Sequence, residues 1–378
     1  MDLENLRDKI NEVDDEVFKL FKERMALSRE IARTKQAEGI GVTNRIRERE
    51  ILTRMTKKDP ELKTYTRLLF NTLFSASKSL QRQELLGVSP LVETLREAVI
   101  TTERQFPREG MVAIQGSEGS YSQQAAYKLF PYGEVMFFKQ FSDVFDAVNS
   151  GLAEYGVVPI ENSSNGSVKE VYEVMKKREF SIVRGTKLFI DHHLLVKPGA
   201  ELKDIREIIS QRQALGQCSD FLTANPHISA VEYVDTALAA ALVAESDRRD
   251  IAAIASRYSG DLYGLDALAV PIQNSENNYT RFICISKEPK IFPGSNKISL
   301  MVSAPHEPGG LFNVLARFSA LGLNVTKIES RSMSGLDFEF IFYFDFEGSV
   351  EMPEVQWLLD DLQSSSEHFQ FLGNYMEV

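Results

Sequence analysis

The sequence predicts a multidomain chain: an all-α helical domain (1–87), a linker (88–110), a two-lobed α/β domain (111–290) and an α+β domain (296–378). Three observations carry this division. Apolar residues recur at helical spacing through the first quarter of the chain. Strand-type and helical runs alternate through the middle, and the last stretch reads strand, helix, strand, strand, helix, strand.

At 378 residues with 43% apolar side chains, the chain can fill two or three cores. A net charge of −11 argues against nucleic acid or an anionic membrane as partner, since either needs a basic face. No stretch approaches the ~18 consecutive apolar residues of a membrane span. The charged opening MDLENLRDKINEVDDEV does not read as a signal peptide, so a cytoplasmic protein is expected. Cys218 and Cys284 make no disulfide framework and lack zinc-ligand spacing, so no metal site is expected.

In the first domain apolar positions run Leu6, Ile10, Val13, Val17, Leu20, Leu27 and Ile31, a four-three rhythm whose missing member is Arg24. Four residues past Ile31 the stripe reaches Lys35. A long helix thus places two cations where its apolar seam should be. That is costly unless an anion waits there or both side chains snorkel to the surface. A second helix is expected after Thr43, carrying Arg47 and Glu48. A third is expected from Asp59-Pro60, with Asp59 as N-cap and Pro60 as the first helical residue. Its inner face runs Leu69, Leu73, Ser77, Gln81, so polar groups again interrupt an apolar stripe.

Arg7, Arg24, Lys35, Arg47, Glu48, Ser77 and Gln81, in that order, resemble the all-helical chorismate mutase domain. The resemblance implies that the arginines hold the two carboxylates of chorismate, that Lys35 and Gln81 hydrogen-bond the ether oxygen, and that Glu48 takes the ring hydroxyl. Such a site needs no nucleophile. The breaking C–O bond builds negative charge on the ether oxygen, and fixed donors stabilise that charge more than they stabilise the substrate. Asn44 departs from the family's usual Asp. Arg7 and Arg24 are 17 residues apart, roughly 25 Å along a straight helix, so one chain cannot bring both to one substrate. Arg7 either serves a second subunit's pocket in an interlocked antiparallel dimer or is a surface residue without a role.

The linker contains Pro90, Pro107 and Gly110 and reads as partly helical, without a strong core pattern. From Met111 strand-then-helix units follow: VAIQG with SEGSYSQQAAYKLF, GVVPI with VKEVYEVMKK, DHHLLV with LKDIREIIS, SAVEYV with TALAAALVAES, and IAAIAS with SGDLYGL. Largely parallel sheets are expected. Gly116 to Gly119 fits neither a Walker loop nor GxGxxG, which argues against nucleotide binding. EYGVVPIENSSNGSV reads as strand, polar turn and helix start. Glu161, Asn162, Ser163, Ser164, Asn165 and Gly166 either aim donors at an anion beside a helix N-terminus or form an ordinary capping turn. Thr280 and Arg281 are expected at the mouth of the FICIS strand, a hydroxyl beside a guanidinium able to grip a carboxylate. His192 and His193 are alternative acids, although an adjacent pair opening an apolar strand is more often structural.

With GSYS, QALGQC and LYGL, these stretches resemble prephenate dehydratase across the α/β domain. The resemblance implies a periplasmic-binding-protein-like fold and decarboxylation of prephenate with loss of its hydroxyl, giving phenylpyruvate, without a cofactor. It implies Thr280 as hydrogen-bond donor to the departing hydroxyl and Arg281 on a carboxylate. It also implies that Ser120, Ser122, Glu161, Asn162, Ser163, Ser164, Gly166 and Phe282 line the cleft. Ser210-Gln211-Arg212-Gln213 departs from the family's Ser-His-Pro-Gln.

KISLMVSA, GGLFNVLARFSALG, LNVTKIES, FEFIFYFDF, MPEVQWLLDDLQSS and QFLGNY give the βαββαβ ferredoxin-like order. Gly309, Gly310 and Leu311, with Glu329, Ser330 and Arg331, resemble the ACT domain. That implies L-phenylalanine bound between paired subunits, or dimerisation alone. Gly310 and Ser332 depart from the family's usual Ala and Pro. The whole chain resembles the bifunctional P-proteins, which implies both reactions on one polypeptide, feedback by L-phenylalanine as a population shift, and a homodimer or dimer of dimers. An arogenate dehydratase, or a mutase fused to a non-catalytic metabolite sensor, are the alternative readings.

Overall fold

The computed structural model describes residues 2–86, 89–269, 271–332 and 340–378. The chain divides into two compact units, Met1–Glu97 with Leu300–Phe371, and Ala98–Ser299 with Leu372–Val378.

The first unit begins with α1 (Leu3–Glu38), α2 (Arg45–Thr56), α3 (Lys63–Leu86) and α4 (Pro90–Thr101). Asp2 caps α1 by accepting from the Asn5 N–H, and Gly39 ends it in the left-handed conformation. The side of α1 that packs on α3 carries buried Ser28 and Ala32 with partly buried Arg24 and Lys35. The expected seam is the neighbouring stripe: Leu6, Ile10, Val13, Val17, Leu20, Leu27 and Ile31 are 47–62% exposed. The two cations therefore do not interrupt that seam; they face α3 beside it. Asn44 caps α2 as a short polar side chain should, accepting from the Arg47 N–H at 3.0 Å. α3 starts at Lys63 rather than Pro60, because Asp59 Oδ1 accepts from the N–H groups of Glu61 and Leu62 and holds them in a turn. Leu69 is exposed, whereas Ser77 and Gln81 are buried. α4 lies in the segment expected as a linker, where Val92 and Leu95 are buried.

The second unit runs β1 (Met111–Gln115), α5 (Tyr121–Leu129), β2 (Glu134–Phe138), α6 (Phe141–Ser150), β3 (Tyr155–Asn162), β4 (Gly166–Ser167), α7 (Lys169–Met175), β5 (Ser181–Phe189), β6 (His193–Val196), β7 (Glu207–Gln211), α8 (Arg212–Gln217), α9 (Ser219–Ala224), β8 (Ser229–Tyr233), α10 (Thr236–Glu245), β9 (Ile251–Ala255), α11 (Arg257–Tyr263), β10 (Asp266–Ala269) and β11 (Tyr279–Ser286). One sheet has the order β2-β1-β3-β11-β5 with β4 beside β3, the other β10-β6-β9-β7-β8, and these are the two lobes. The sheets are mixed rather than largely parallel. β1 runs parallel to β2 and β3, but β11 is antiparallel to β3 and β5, and β6 is antiparallel to β9 and β10. LKDIREIIS forms a short 3-10 turn and then strand β7, not a helix: Ile208 and Ile209 point into different cores on the two faces of their sheet. Cys218 and Cys284 are buried and unbridged.

The remaining elements are β12 (Lys297–Ser303), α12 (Gly310–Ala320), β13 (Val325–Ser332), β14 (Phe340–Glu347), α13 (Pro353–Ser365) and β15 (Phe369–Tyr375). They form a sheet of order β13-β14-β12-β15, the ferredoxin-like arrangement. Phe338 and Glu339 of the expected FEFIFYFDF strand lie outside the described residues. Among the described residues no helix is long and apolar enough to cross a membrane, and no cluster of His, Cys, Asp and Glu could hold a metal ion.

Candidate active sites

The helical site forms where the polar stripe of α1 meets α3. Arg24 donates to the Leu73 carbonyl at 3.0 Å and to Ser77 Oγ, and its guanidinium stands 5.8 Å from the Phe74 ring centre. Burial lowers its pKa, which marks a partly desolvated cation, attractive to an anion. One helical stretch further on, Lys35 Nζ donates to the Val42 carbonyl at 2.5 Å and reaches Gln81 Oε1 at 3.5 Å. Glu48 on α2 pairs with Lys78 at 3.0 Å. Sequence reasoning passed over Lys78, although it adjoins Ser77. Arg47 stands apart: it pairs with Glu50 at 2.9 Å with both side chains more than half exposed. Arg7 is exposed near the far end of α1.

The second site is built around Asn162, 6% exposed at the end of β3. The polar stretch after it is a hairpin turn into β4, and α7 starts only at Lys169 without a side-chain cap. Asn162 Oδ1 accepts from the N–H groups of Ser164 and Asn165 at 3.0 Å each. Of the two readings of this stretch, donors aimed at an anion or a self-satisfied turn, these bonds support the second. The Asn162 amide nitrogen donates to Thr280 Oγ1 at 3.0 Å and to Asn278 Oδ1 at 2.9 Å. Asn278 in turn donates to Gln217 Oε1 at 3.3 Å, which also accepts from His192 Nε2 at 2.8 Å. A polar chain therefore runs from Thr280 to His192, whose pKa burial pushes down. Asn278 and Gln217 are legible in the sequence only as members of motifs, and His192 as either an alternative acid or a structural residue. Ser163 accepts from the Tyr279 N–H and donates to the Asn277 carbonyl, closing the turn onto β11. Ser120 caps α5, Ser122 is buried within that helix, and Gly166 opens β4 at positive φ.

Two residues expected to contact substrate are buried against protein partners. Arg281 is 8% exposed and pairs with Glu377 at 2.6 Å while donating to Tyr375 Oη at 2.7 Å. Its charge is already met by a protein carboxylate. Phe282 is 2% exposed and packs with Val112, Ile114 and Ala125 in the lobe's core. Glu161, paired with Arg281 on the strand ladder, remains partly exposed.

At the expected effector site Gly309 and Gly310 open α12. A Cβ at Gly310 would lie 2.1 Å from the Pro305 carbonyl oxygen, so this folded-back loop requires glycine where the family usually has alanine. Leu311 helps line a cavity of about 330 Å³ with Pro305 and Phe342. Glu329 and Arg331 pair at 2.8 Å on one face of β13, and Ser330 points to the other.

Two family models match the chain, chorismate mutase type II over residues 6–82 and prephenate dehydratase over 112–290. Helical site and two-lobed site thus define an enzyme with an isomerase and a carbon–oxygen lyase on one polypeptide. The bifunctional chorismate mutase/prephenate dehydratase of Escherichia coli K12 is 31% identical, over 98% of this chain and 95% of its own length. Arogenate dehydratase/prephenate dehydratase 1 of Arabidopsis thaliana is 37% identical, over 70% of this chain and 71% of its own. Among solved structures, prephenate dehydratase of Arthrobacter aurescens in complex with L-Phe is 28% identical with a TM-score of 0.65, covering 70% of this chain and 89% of that one. GqqA, described as a novel type of quorum quenching acylase, is 30% identical with a TM-score of 0.65, covering 71% of this chain and 98% of its own. The chain belongs to the bifunctional chorismate mutase/prephenate dehydratase family, enzymes of phenylalanine biosynthesis.

Proposed function

We propose that the α1–α3 site rearranges chorismate, with Arg24 and Arg47 on its carboxylates, Lys35 and Gln81 on the ether oxygen, Glu48 on the ring hydroxyl, and Ser77 and Asn44 orienting their neighbours. The juxtaposition of Lys35 with Gln81 supports this: Gln81 Oε1 accepts from Lys35, which leaves the Gln81 amide N–H groups beside the ammonium as a second donor for the charge that develops there. Arg47 would have to leave Glu50 to take part. Arg7 serves the partner's pocket in a homodimer. The exposed seam of α1 supports that assembly, since each such side chain buried contributes about 1.5–3 kcal/mol.

At the second site Thr280 donates to the hydroxyl that leaves prephenate as carbon dioxide departs. The observation that carries this reading is the bond from Asn162 to Thr280 Oγ1: the accepted bond leaves the Thr280 proton to be donated elsewhere. Electrons of the breaking C–CO₂ bond enter the ring as the hydroxyl goes, and aromatisation drives the step. Glu161, Ser163, Ser164, Ser120 and Ser122 border the cleft. L-phenylalanine acts as effector through Gly309 to Leu311 and Glu329 to Arg331, a reading supported by the L-Phe complex of the Arthrobacter relative. The enzyme works in the cytoplasm and prefers prephenate to arogenate, as the attached mutase and the full-length bifunctional relatives favour.

The test is phenylpyruvate formation from prephenate, against phenylalanine formation from arogenate, with and without L-phenylalanine. The expected outcome is faster turnover of prephenate that falls as L-phenylalanine is added. Faster turnover of arogenate would replace the substrate, and turnover indifferent to L-phenylalanine would remove the effector.

A further inference from the structure

Thr280 and Arg281 are successive residues of β11, so their side chains leave opposite faces of the strand. On one face Thr280 meets Asn162. On the other, Arg281 meets Tyr375 at the end of β15 and Glu377 just beyond it. Glu377 also pairs with Lys187 at 2.8 Å and Lys297 at 3.0 Å, and the fully buried Tyr375 hydroxyl shares a hydrogen bond with Ser299. The backbone is tied too. The Gly185 N–H donates to the Met376 carbonyl and the Val378 N–H to the Gly185 carbonyl, each at 2.9 Å. Residues 376–378 thus lie along β5, the neighbour of β11. Close approach is possible because residue 373 is glycine; a Cβ there would sit 2.1 Å from the Ile182 carbonyl oxygen.

On its β3 side β11 is less regularly held at this point. Its register with β3 shifts between Arg281 and Phe282, and the residue opposite Phe282 is Pro159, which has no N–H to give. The extra residue is Ile160 of β3, so the β3–β11 ladder is locally short of bonds, while the β5 side of β11 keeps its register from Tyr279 to Cys284. The direction in which Thr280 leaves it then depends on side chains anchored beside it.

We propose that Glu377 and Tyr375 are positioning residues for the dehydratase reaction, holding Arg281 and, through it, the stretch of β11 opposite the β3 bulge that aims Thr280. The proposal rests on Thr280 being the hydroxyl donor. Glu377→Gln, Tyr375→Phe and Thr280→Ala are compared in the full chain for kcat and KM on prephenate, with mutase turnover as the control for folding. Glu377→Gln should lower kcat about tenfold or more with KM unchanged, Tyr375→Phe should lower it less, and mutase turnover should hold. The double variant Glu377→Gln/Arg281→Met should be no worse than either single change, because both act through one contact. Unchanged kcat in both Glu377→Gln and Tyr375→Phe overturns the proposal. A rise in KM at constant kcat also overturns it, since Arg281 would then bind substrate. If Glu377→Gln fails to fold, Tyr375→Phe, which removes one hydroxyl, decides by the same criteria. Thr280→Ala without activity beside Glu377→Gln at full kcat removes this proposal alone; full activity in Thr280→Ala removes the reading beneath it as well.

Discussion

Asn162 shows how one residue organises a site through both ends of its amide. Its oxygen closes the turn and its nitrogen fixes Thr280, so Asn162→Ala should misplace the donor and lower dehydratase kcat roughly 10²-fold, leaving mutase turnover intact in a parallel assay. Thr280 and Asn162 were legible as motif residues. The role of Arg281 was not, because its partner Glu377 lies far along the chain and no local pattern links them. Glu377 itself carries a measurable signature. Burial alone would raise its pKa, yet Arg281, Lys187 and Lys297 hold it at about 2 against an ordinary 4.5. The folded state thus gains stability that is fully present above pH 4.5 and is lost as pH falls toward 2. Urea midpoints of wild type and Glu377→Gln should differ above that window and converge within it.

Helices were readable as elements, but which face each buries was not. The four-three rhythm of α1 identified a real apolar stripe, but Arg24 and Lys35, placed within it by the spacing, face α3 beside it. Within one chain α3 covers Ser28 and Ala32 instead, a small-residue face that lets Arg24 and Lys35 reach across. Val13→Asp/Val17→Asp would place two charges in the seam proposed to be covered by a second subunit. The expected result by light scattering is a monomer, with mutase activity lost because Arg7 of the partner is gone, and dehydratase activity kept. LKDIREIIS failed for a related reason. Its charges mimic helical spacing, but two adjacent buried isoleucines need both faces of a sheet.

At the scale of the molecule, domain order mirrors reaction order, since the product of the helical site is the substrate of the two-lobed one. That order was legible from motifs alone. The mixed strand directions were not, because β11 and β5 join the first sheet from later in the chain. If the two sites work independently, Lys35→Ala should abolish only the mutase and Thr280→Ala only the dehydratase, each by about 10²-fold or more. The most direct measurement follows chorismate, prephenate and phenylpyruvate over time with each variant alone and with the two mixed. Neither variant alone should convert chorismate to phenylpyruvate, and the mixture should do so after free prephenate has accumulated. Retention of both steps in either variant, or a mixture that stays inactive although each protein keeps its remaining activity, would contradict two separable sites on one chain.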